Sequence, residues 1–184
     1  MRILAIDPGA AALGWAGDLD GTLRWGTEDF SLRRVDTEGL RWLRFERWLG
    51  GILPGTESPG LLVVYEQQTN YGRQHPGAGE VGRILTALLL KFCEERGIAA
   101  EAVSPQTIKA FAIPTRPRPK KAEPKRAPLD RGKAAMIAAA KIHLEMEMER
   151  ANRGVMADAA RMRPLTEHEA DALWLYWLMK ERNG

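Results

Sequence analysis

The chain has 184 residues, 45% of them hydrophobic and 28% charged, with a formal net charge of +3. This size and mixture are typical of one globular domain, predicted to span residues 1–184, whose core needs no covalent cross-links. No apolar run approaches the roughly 20 residues of a membrane-spanning helix, and Cys93 has no second cysteine with which to pair. We therefore expect a cytoplasmic protein without a membrane partner, in which Cys93 is a packing residue.

The first part of the chain predicts a strand followed by a β-hairpin. Arg2 to Ile6 is a short apolar run that ends at the turn signal Asp7-Pro8-Gly9. Two further strands are predicted from Leu13 to Ala16 and from Thr22 to Trp25. Between them, residues 18–21 end in Asp-Gly, which is typical of a tight hairpin turn.

The middle of the chain predicts two helices around a buried strand. Thr37 to Leu49 has helical spacing, and Gly50-Gly51 is expected to end this helix. Its core face is predicted to contain Leu40, Leu43, Trp48 and Leu49. Leu61 to Tyr65 is a continuous apolar run, typical of a strand covered on both faces. Gly79 to Arg96 has a long apolar stripe and predicts the second helix.

The rest of the chain predicts one strand and three helices. Ala99 to Val103 is a short strand, after which Ser104 and Pro105 begin a helix that runs to Phe111. Further helices are predicted from Asp130 to Arg150 and, with Thr166 as N-cap, to Arg182. This order of elements predicts an α/β fold: a mixed five-stranded sheet with helices on both faces, and the first and fourth strands parallel.

A basic, proline-rich loop is predicted at about residues 114–131. Five prolines among the fifteen residues from Pro114 to Pro128 exclude regular structure there. Between Thr115 and Lys133, eight basic residues face two acidic ones, an excess of +6 in 19 residues. Such clustering fits an extended polyanion such as nucleic acid, and it equally fits a solvated flexible loop. The candidate DNA-binding residues in this loop are Arg116, Arg118, Lys120, Lys121, Lys125 and Arg126.

Four side chains form a candidate metal site. Asp7 and Glu66 each end a predicted strand, and parallel neighbours direct such residues into one crevice. His168 and Asp171 are three residues apart and share a face of the last helix. Grouped acids need a cation, and two divalent ions about 3.5–4 Å apart suit phosphodiester hydrolysis. Singly, each residue also fits a turn, a polar loop or a helix end, and only their joint placement indicates a site.

Six segments resemble, in chain order, the motifs of RuvC-type Holliday junction resolvases: Ile3–Gly9, Leu13–Ala16, Val64–Glu66, Ser104–Lys109, Gly132–Met136 and His168–Leu173. The stretch from Gln67 to His75 looks closer to the phage-type branch of the family. The resemblance implies an RNase H-like nuclease domain from a bacterial cell or a phage, acting as a homodimer on four-way junctions and other branched DNA. It also implies two Mg²⁺ ions, with Mn²⁺ as a substitute, held by Asp7, Glu66, His168 and Asp171.

The resemblance also suggests residues that meet DNA. Lys109 and Lys133 are candidate phosphate contacts near the cut, and Tyr71 is a candidate for stacking on an unpaired base, although packing explains a loop tyrosine as well. The basic loop is longer and richer in proline than the family pattern. That departure leaves the choice among branched DNA structures open.

Three other functions are compatible with parts of the sequence. A sugar-kinase-like or actin-like phosphotransferase also opens with a strand and an Asp-x-Gly turn. It needs a second domain to close over its nucleotide, so no nucleotide cofactor is expected here. A broader flap or fork nuclease of the same fold would share the acidic residues. A junction-binding module that does not cut would keep the basic loop and lose an acid, whereas all four positions are occupied.

Overall fold

A computed structural model of the chain describes residues 1–9, 12–53, 60–68, 76–113, 129–150 and 163–183. Within these ranges the strands are β1 (Arg2–Asp7), β2 (Ala12–Gly17), β3 (Arg24–Asp29), β4 (Leu61–Glu66) and β5 (Ala99–Val103). The helices are α1 (Glu38–Ile52), α2 (Pro76–Glu95), α3 (Pro105–Ala112), α4 (Leu129–Arg150) and α5 (Glu167–Asn183). No helix in the described part of the chain is long and apolar enough to cross a membrane.

The strands form one mixed sheet in the order β3-β2-β1-β4-β5. β1, β2 and β3 are antiparallel neighbours, whereas β4 is parallel to both β1 and β5. The predicted parallel pairing of the first and fourth strands is therefore confirmed. In this register Ile6 lies opposite Tyr65, so that β1 and β4 end side by side.

Helices cover both faces of the sheet, as predicted. Successive side chains of a strand point to opposite faces, and in β1 they enter two separate cores. Ile3 and Ala5 pack with residues of α3, α4 and α5, while Leu4 and Ile6 pack with residues of α1 and α2. Cys93 is buried in the second core. Burial raises the pKa of its thiol to about 11, which fits the packing role expected for it.

Two sequence predictions were wrong in the region of β3 and α1. The third strand begins at Arg24 and not at Thr22. α1 does not end at Gly50-Gly51 but continues through both glycines to Ile52, and its C-cap residue Leu53 donates its backbone N–H to the Leu49 carbonyl. Both Leu49 and Leu53 are buried, so packing offsets the roughly 1 kcal/mol that a glycine costs in a helix.

The core face of α1 also differs from the prediction. Leu43 is 49% exposed, whereas Phe45 is buried. Phe45 packs between Phe30 and Trp48, with ring centroids 5.6 and 6.0 Å away. This aromatic cluster, which includes a residue outside the helix, sets the rotation of α1 relative to the sheet.

α5 is the central helix of the fold and packs on β1, β2, β3 and β4. Apart from Asp171, every residue from Glu169 to Met179 is buried. Its N-terminus has a reciprocal cap: the Thr166 N–H donates to Glu169 Oε2 at 2.9 Å, and the Glu169 N–H donates to Thr166 Oγ1 at 3.1 Å. Arg163 Nη2 lies 2.5 Å from the other oxygen of Glu169. The predicted N-cap is confirmed.

Replacing Glu169 by Ala is expected to lower the free energy of unfolding by about 2 kcal/mol. The variant loses the cap on Thr166 and leaves Arg163 without its buried partner. Urea unfolding of Glu169→Ala and of Glu181→Ala, an exposed glutamate near the other end of α5, would measure the difference. Equal losses in the two variants would contradict the capping role.

Candidate active site

Asp7 and Glu66 lie at the carboxyl ends of two adjacent parallel strands. The β1–β4 register places Ile6 beside Tyr65, and each acid is the next residue of its strand. Asp7 is only 8% exposed. Such strand ends are the usual location of sites on parallel sheets. The prediction that these two carboxylates share one edge of the sheet therefore agrees with the structure.

α5 brings the other two predicted residues to the same edge. His168 Nδ1 lies 2.7 Å from Asp7 Oδ2, a hydrogen bond that joins the first turn of α5 to the end of β1. Asp171 is three residues further along the helix, and repulsion from its charge contributes to the raised pKa of Glu66. The structure thus brings all four predicted residues to the same edge of the sheet.

Two glycines allow α5 to approach this closely. Gly14 of β2 is buried against the backbone of His168, and a Cβ at this position would overlap the His168 carbonyl group. Gly9 lies against the His168 ring, and a Cβ there would be about 2.7 Å from His168 Cε1. Sequence analysis placed Gly9 in a turn and gave Gly14 no role. Their contact with His168 could not be predicted, because it depends on the path of a helix about 150 residues later.

The acids of the site disfavour each other's charge. Burial, followed by repulsion from Asp7 and Asp171, raises the pKa of Glu66 to about 8. Burial, followed by repulsion from Asp7 and Glu167, raises the pKa of Asp171 to about 7. The hydrogen bond to Asp7 raises the pKa of His168 above its ordinary 6.5. Simultaneous ionisation of these acids is therefore disfavoured unless a cation is present.

The donor types fit a hard divalent cation. Carboxylate oxygens are preferred by Mg²⁺ and Mn²⁺, and a cation would relieve the repulsion that raises the pKa values of Glu66 and Asp171. Among the residues that the structure describes, however, no three His, Cys, Asp or Glu side chains form a ready-made metal-ligand group. A bound ion would compete with His168 for Asp7 Oδ2. The site thus has suitable chemistry without a closed ligand cage.

Two predicted DNA contacts, Lys109 and Lys133, flank Asp171. They line a small cavity with Met136, Ile137, Glu167 and Asp171. The Lys109 charge partly opposes the rise in the pKa values of Glu66 and Asp171. The Lys133 ammonium forms an ion pair with Glu167. The remaining predicted DNA contacts lie outside the described residues: Tyr71, Arg116, Arg118, Lys120, Lys121, Lys125 and Arg126.

Solved structures of RuvC from Thermus thermophilus share this architecture. One superposes with a TM-score of 0.57 at 18% identity, covering 98% of this chain and 97% of RuvC. A second, of T. thermophilus RuvC in complex with a Holliday junction substrate, gives 0.56 at 17% identity over 95% and 89% of the two chains. The chain has the RNase H-like fold of RuvC.

No protein-family model matches the sequence, and no curated protein matches it either. The likeness to RuvC is therefore a likeness of fold. It extends over nearly the whole of both chains, so no large part of the RuvC fold lacks a counterpart here.

Glu167 is the residue of the site that sequence analysis missed. Glu167 pairs with Lys133, and after burial and repulsion from Asp7 its charge also raises the pKa of Asp171. Its position directly before His168 was the available signal. The pairing of Glu167 with Lys133 could not be inferred, since it depends on how α4 packs on α5.

Replacing Glu66 by Gln is expected to stabilise the metal-free protein by about 1–2 kcal/mol at pH 8. The pKa of Glu66 is about 8 in the folded chain and 4.5 ordinarily. Between pH 4.5 and about 8, Glu66 therefore keeps its proton in the folded chain and loses it in the unfolded chain. Glu66 therefore costs stability as the pH rises from 4.5 to 8, and an amide removes that cost.

Urea unfolding in EDTA at pH 5 and pH 8 would test this expectation. The stabilisation by Glu66→Gln should be present at the higher pH and small at the lower one. Glu94→Gln, which removes an exposed carboxylate from α2, is the matched control. A Glu66→Gln variant less stable than the parent at pH 8 would show that ionising Glu66 does not cost the folded chain stability.

Proposed function

We propose that this protein is a metal-dependent endonuclease that cuts branched DNA, with four-way (Holliday) junctions as its main substrate. Such an activity belongs to DNA recombination and repair or to the processing of phage DNA. The observation that supports it most strongly is that Asp7, Glu66, His168 and Asp171 share one edge of a sheet with the RuvC fold. The likeness over 98% of the chain supports one nuclease domain across residues 1–184.

Asp7, Glu66, His168 and Asp171 are the proposed metal ligands and catalytic residues. Two Mg²⁺ ions, or Mn²⁺ in their place, would supply an activated water and neutralise charge at the scissile phosphate. Asp7 is the central ligand because it is rigidly held at the end of β1 and touches His168. Glu66 and Asp171 bind metal only when ionised, and their raised pKa values predict that activity increases as the pH rises through 7 to 8.

Lys109 and Lys133 are proposed to bind the phosphates on either side of the cut. Both line the cavity next to Asp171, so a phosphodiester at the metal site would lie within reach of their ammonium groups. The basic residues of the 114–131 loop are proposed to attract the phosphate backbone of DNA, an attraction that weakens steeply as the salt concentration rises. None of these contacts requires a particular base, which suits a protein that recognises DNA shape.

A homodimer is part of the proposal, because a four-way junction is itself symmetric and paired nicks require two sites. α2 is a candidate interface helix: Leu90 is 39% exposed on its outer surface. Sedimentation of the free protein and of its junction complex would measure the number of subunits.

The deciding experiment compares cleavage of labelled four-way junction, flap and linear duplex in Mg²⁺, with EDTA as the control. Paired symmetric nicks in the junction alone would support a resolvase. Equal cutting of flaps would keep the site and broaden the substrate to branched DNA in general. Junction binding without any cutting would overturn the proposal in favour of a binding module.

A further inference from the structure

Lys133 is already paired at the site where DNA is proposed to bind. Its ammonium contacts Glu167 Oε1, and the two side chains are 52% and 40% exposed. Lys133 lies near the start of α4, whereas Glu167 is the first residue of α5. The pair therefore spans two helices beside Asp171 and remains open to solvent.

We propose that Glu167 is an internal counter-charge for Lys133, which a DNA phosphate must displace. Glu167 is then a positioning and affinity-setting residue: it holds the Lys133 ammonium at the edge of the site and competes with DNA for it. This inference rests on the proposed function, since it takes the phosphate of branched DNA as the competitor.

The location of the pair makes this exchange feasible. An exposed ion pair changes an equilibrium constant by no more than about fivefold. A DNA phosphate that contacts both Lys109 and Lys133 can therefore replace Glu167 as the partner of Lys133. After the exchange the Glu167 carboxylate remains next to Asp171 and close to the incoming phosphate. Repulsion from Glu167 already contributes to the raised pKa of Asp171, which indicates that its charge reaches the acids of the site.

The exchange has a signature in the salt dependence of binding. Each phosphate neutralised by a free lysine releases about 0.9 counterion from duplex DNA. When Lys133 leaves Glu167 to bind DNA, the carboxylate left behind attracts cations from solution and partly offsets that release. Removing the carboxylate should therefore steepen the plot of log affinity against log salt, by less than about one unit.

The test uses Glu167→Gln, Lys133→Met, the double variant and Glu181→Gln, which removes one exposed charge at the far end of the same helix. Binding of a fluorescent four-way junction is measured by anisotropy from about 50 to about 200 mM NaCl. EDTA is present throughout, so that neither cleavage nor metal binding enters the comparison.

Glu167→Gln is expected to bind the junction about two- to fivefold more tightly at low salt, with the steeper slope. Glu181→Gln should resemble the parent. In the Lys133→Met background the Gln substitution should have a clearly smaller effect, because only the repulsion between Glu167 and the phosphate is then removed. A Glu167→Gln variant that binds as the parent does, or a gain of equal size without Lys133, would overturn the inference while parent binding upholds the proposed function. Absence of junction binding by the parent would overturn both.

Discussion

Asp7→Asn is expected to lower the rate of junction cleavage by at least about 100-fold while leaving the fold intact. Replacing a residue that merely orients a metal ligand typically costs 10- to 100-fold, so a central ligand should cost at least as much. Asparagine keeps the shape of aspartate and can still hydrogen-bond to His168, so packing around β1 should change little. What it loses is the negative charge, on which a divalent cation depends.

Single-turnover cleavage of a labelled four-way junction in Mg²⁺ would measure this loss. Asp171→Asn should behave in the same way, because its carboxylate is proposed to bind the same metal centre. Asp20→Asn, an exposed hairpin residue that pairs with Arg24, is the matched control and should cut normally. Urea unfolding of each variant separates lost chemistry from lost folding. Near-normal cutting by a folded Asp7→Asn variant would refute the proposed ligand set.

Gly14→Ala is expected to lower the free energy of unfolding by about 3 kcal/mol, the upper end of the usual cost of overpacking a core. Gly14 lies in β2 opposite Asp7 and beneath the backbone of His168. The new Cβ would overlap the His168 carbonyl group, which is part of a helix and cannot rotate away as a side chain can. α5 would have to move as a unit, with many buried contacts along its length.

The same displacement should reduce cleavage even where the variant remains folded, because it separates His168 and Asp171 from Asp7. Gly50→Ala is the control, since Gly50 lies in α1 with no atom near the position of the new Cβ. That variant should gain about 0.5–1 kcal/mol through the better helix propensity of alanine. Urea unfolding and cleavage assays of both variants would measure the contrast, and equal stabilities would contradict the close approach of α5.

The fold was largely predictable because several of its elements have strong local signals. β4 is a continuous apolar run, and β5 was predicted with its exact limits. Ser104 caps α3 by accepting a hydrogen bond from the Thr107 N–H, as its sequence indicates. β3 was misplaced because its residues are half-buried or exposed and give no clear apolar pattern.

The errors in α1 have a tertiary origin. Nothing within α1 itself distinguishes Leu43 from Phe45 as a core residue; the choice follows from the contact of Phe45 with Phe30 in another part of the chain. The two glycines remain helical for the same reason, since the packing of Leu49 and Leu53 fixes the backbone between them.

The candidate site was predictable to the level of its acids and no further. Asp7 and Glu66 follow from the rule that parallel strands end together, and His168 and Asp171 from helical spacing. The hydrogen bond between His168 and Asp7 and the pairing of Glu167 with Lys133 depend on where α5 and α4 come to rest. Those positions are set by packing across the whole sheet.

The burial of α5 has a consequence for how such a protein can diversify. The helix that presents His168 and Asp171 is also the main support of one core, with buried residues along most of its length. A substitution that changes the direction of these two side chains must therefore also repack the interior, and we expect few such sequences to fold. The two proposed metal ligands on α5 are thus tied to the packing of the core. Under the proposed function, new preferences among DNA structures are expected to arise instead at the rim of the site, for example at Glu167, which pairs with Lys133 and is not a proposed metal ligand.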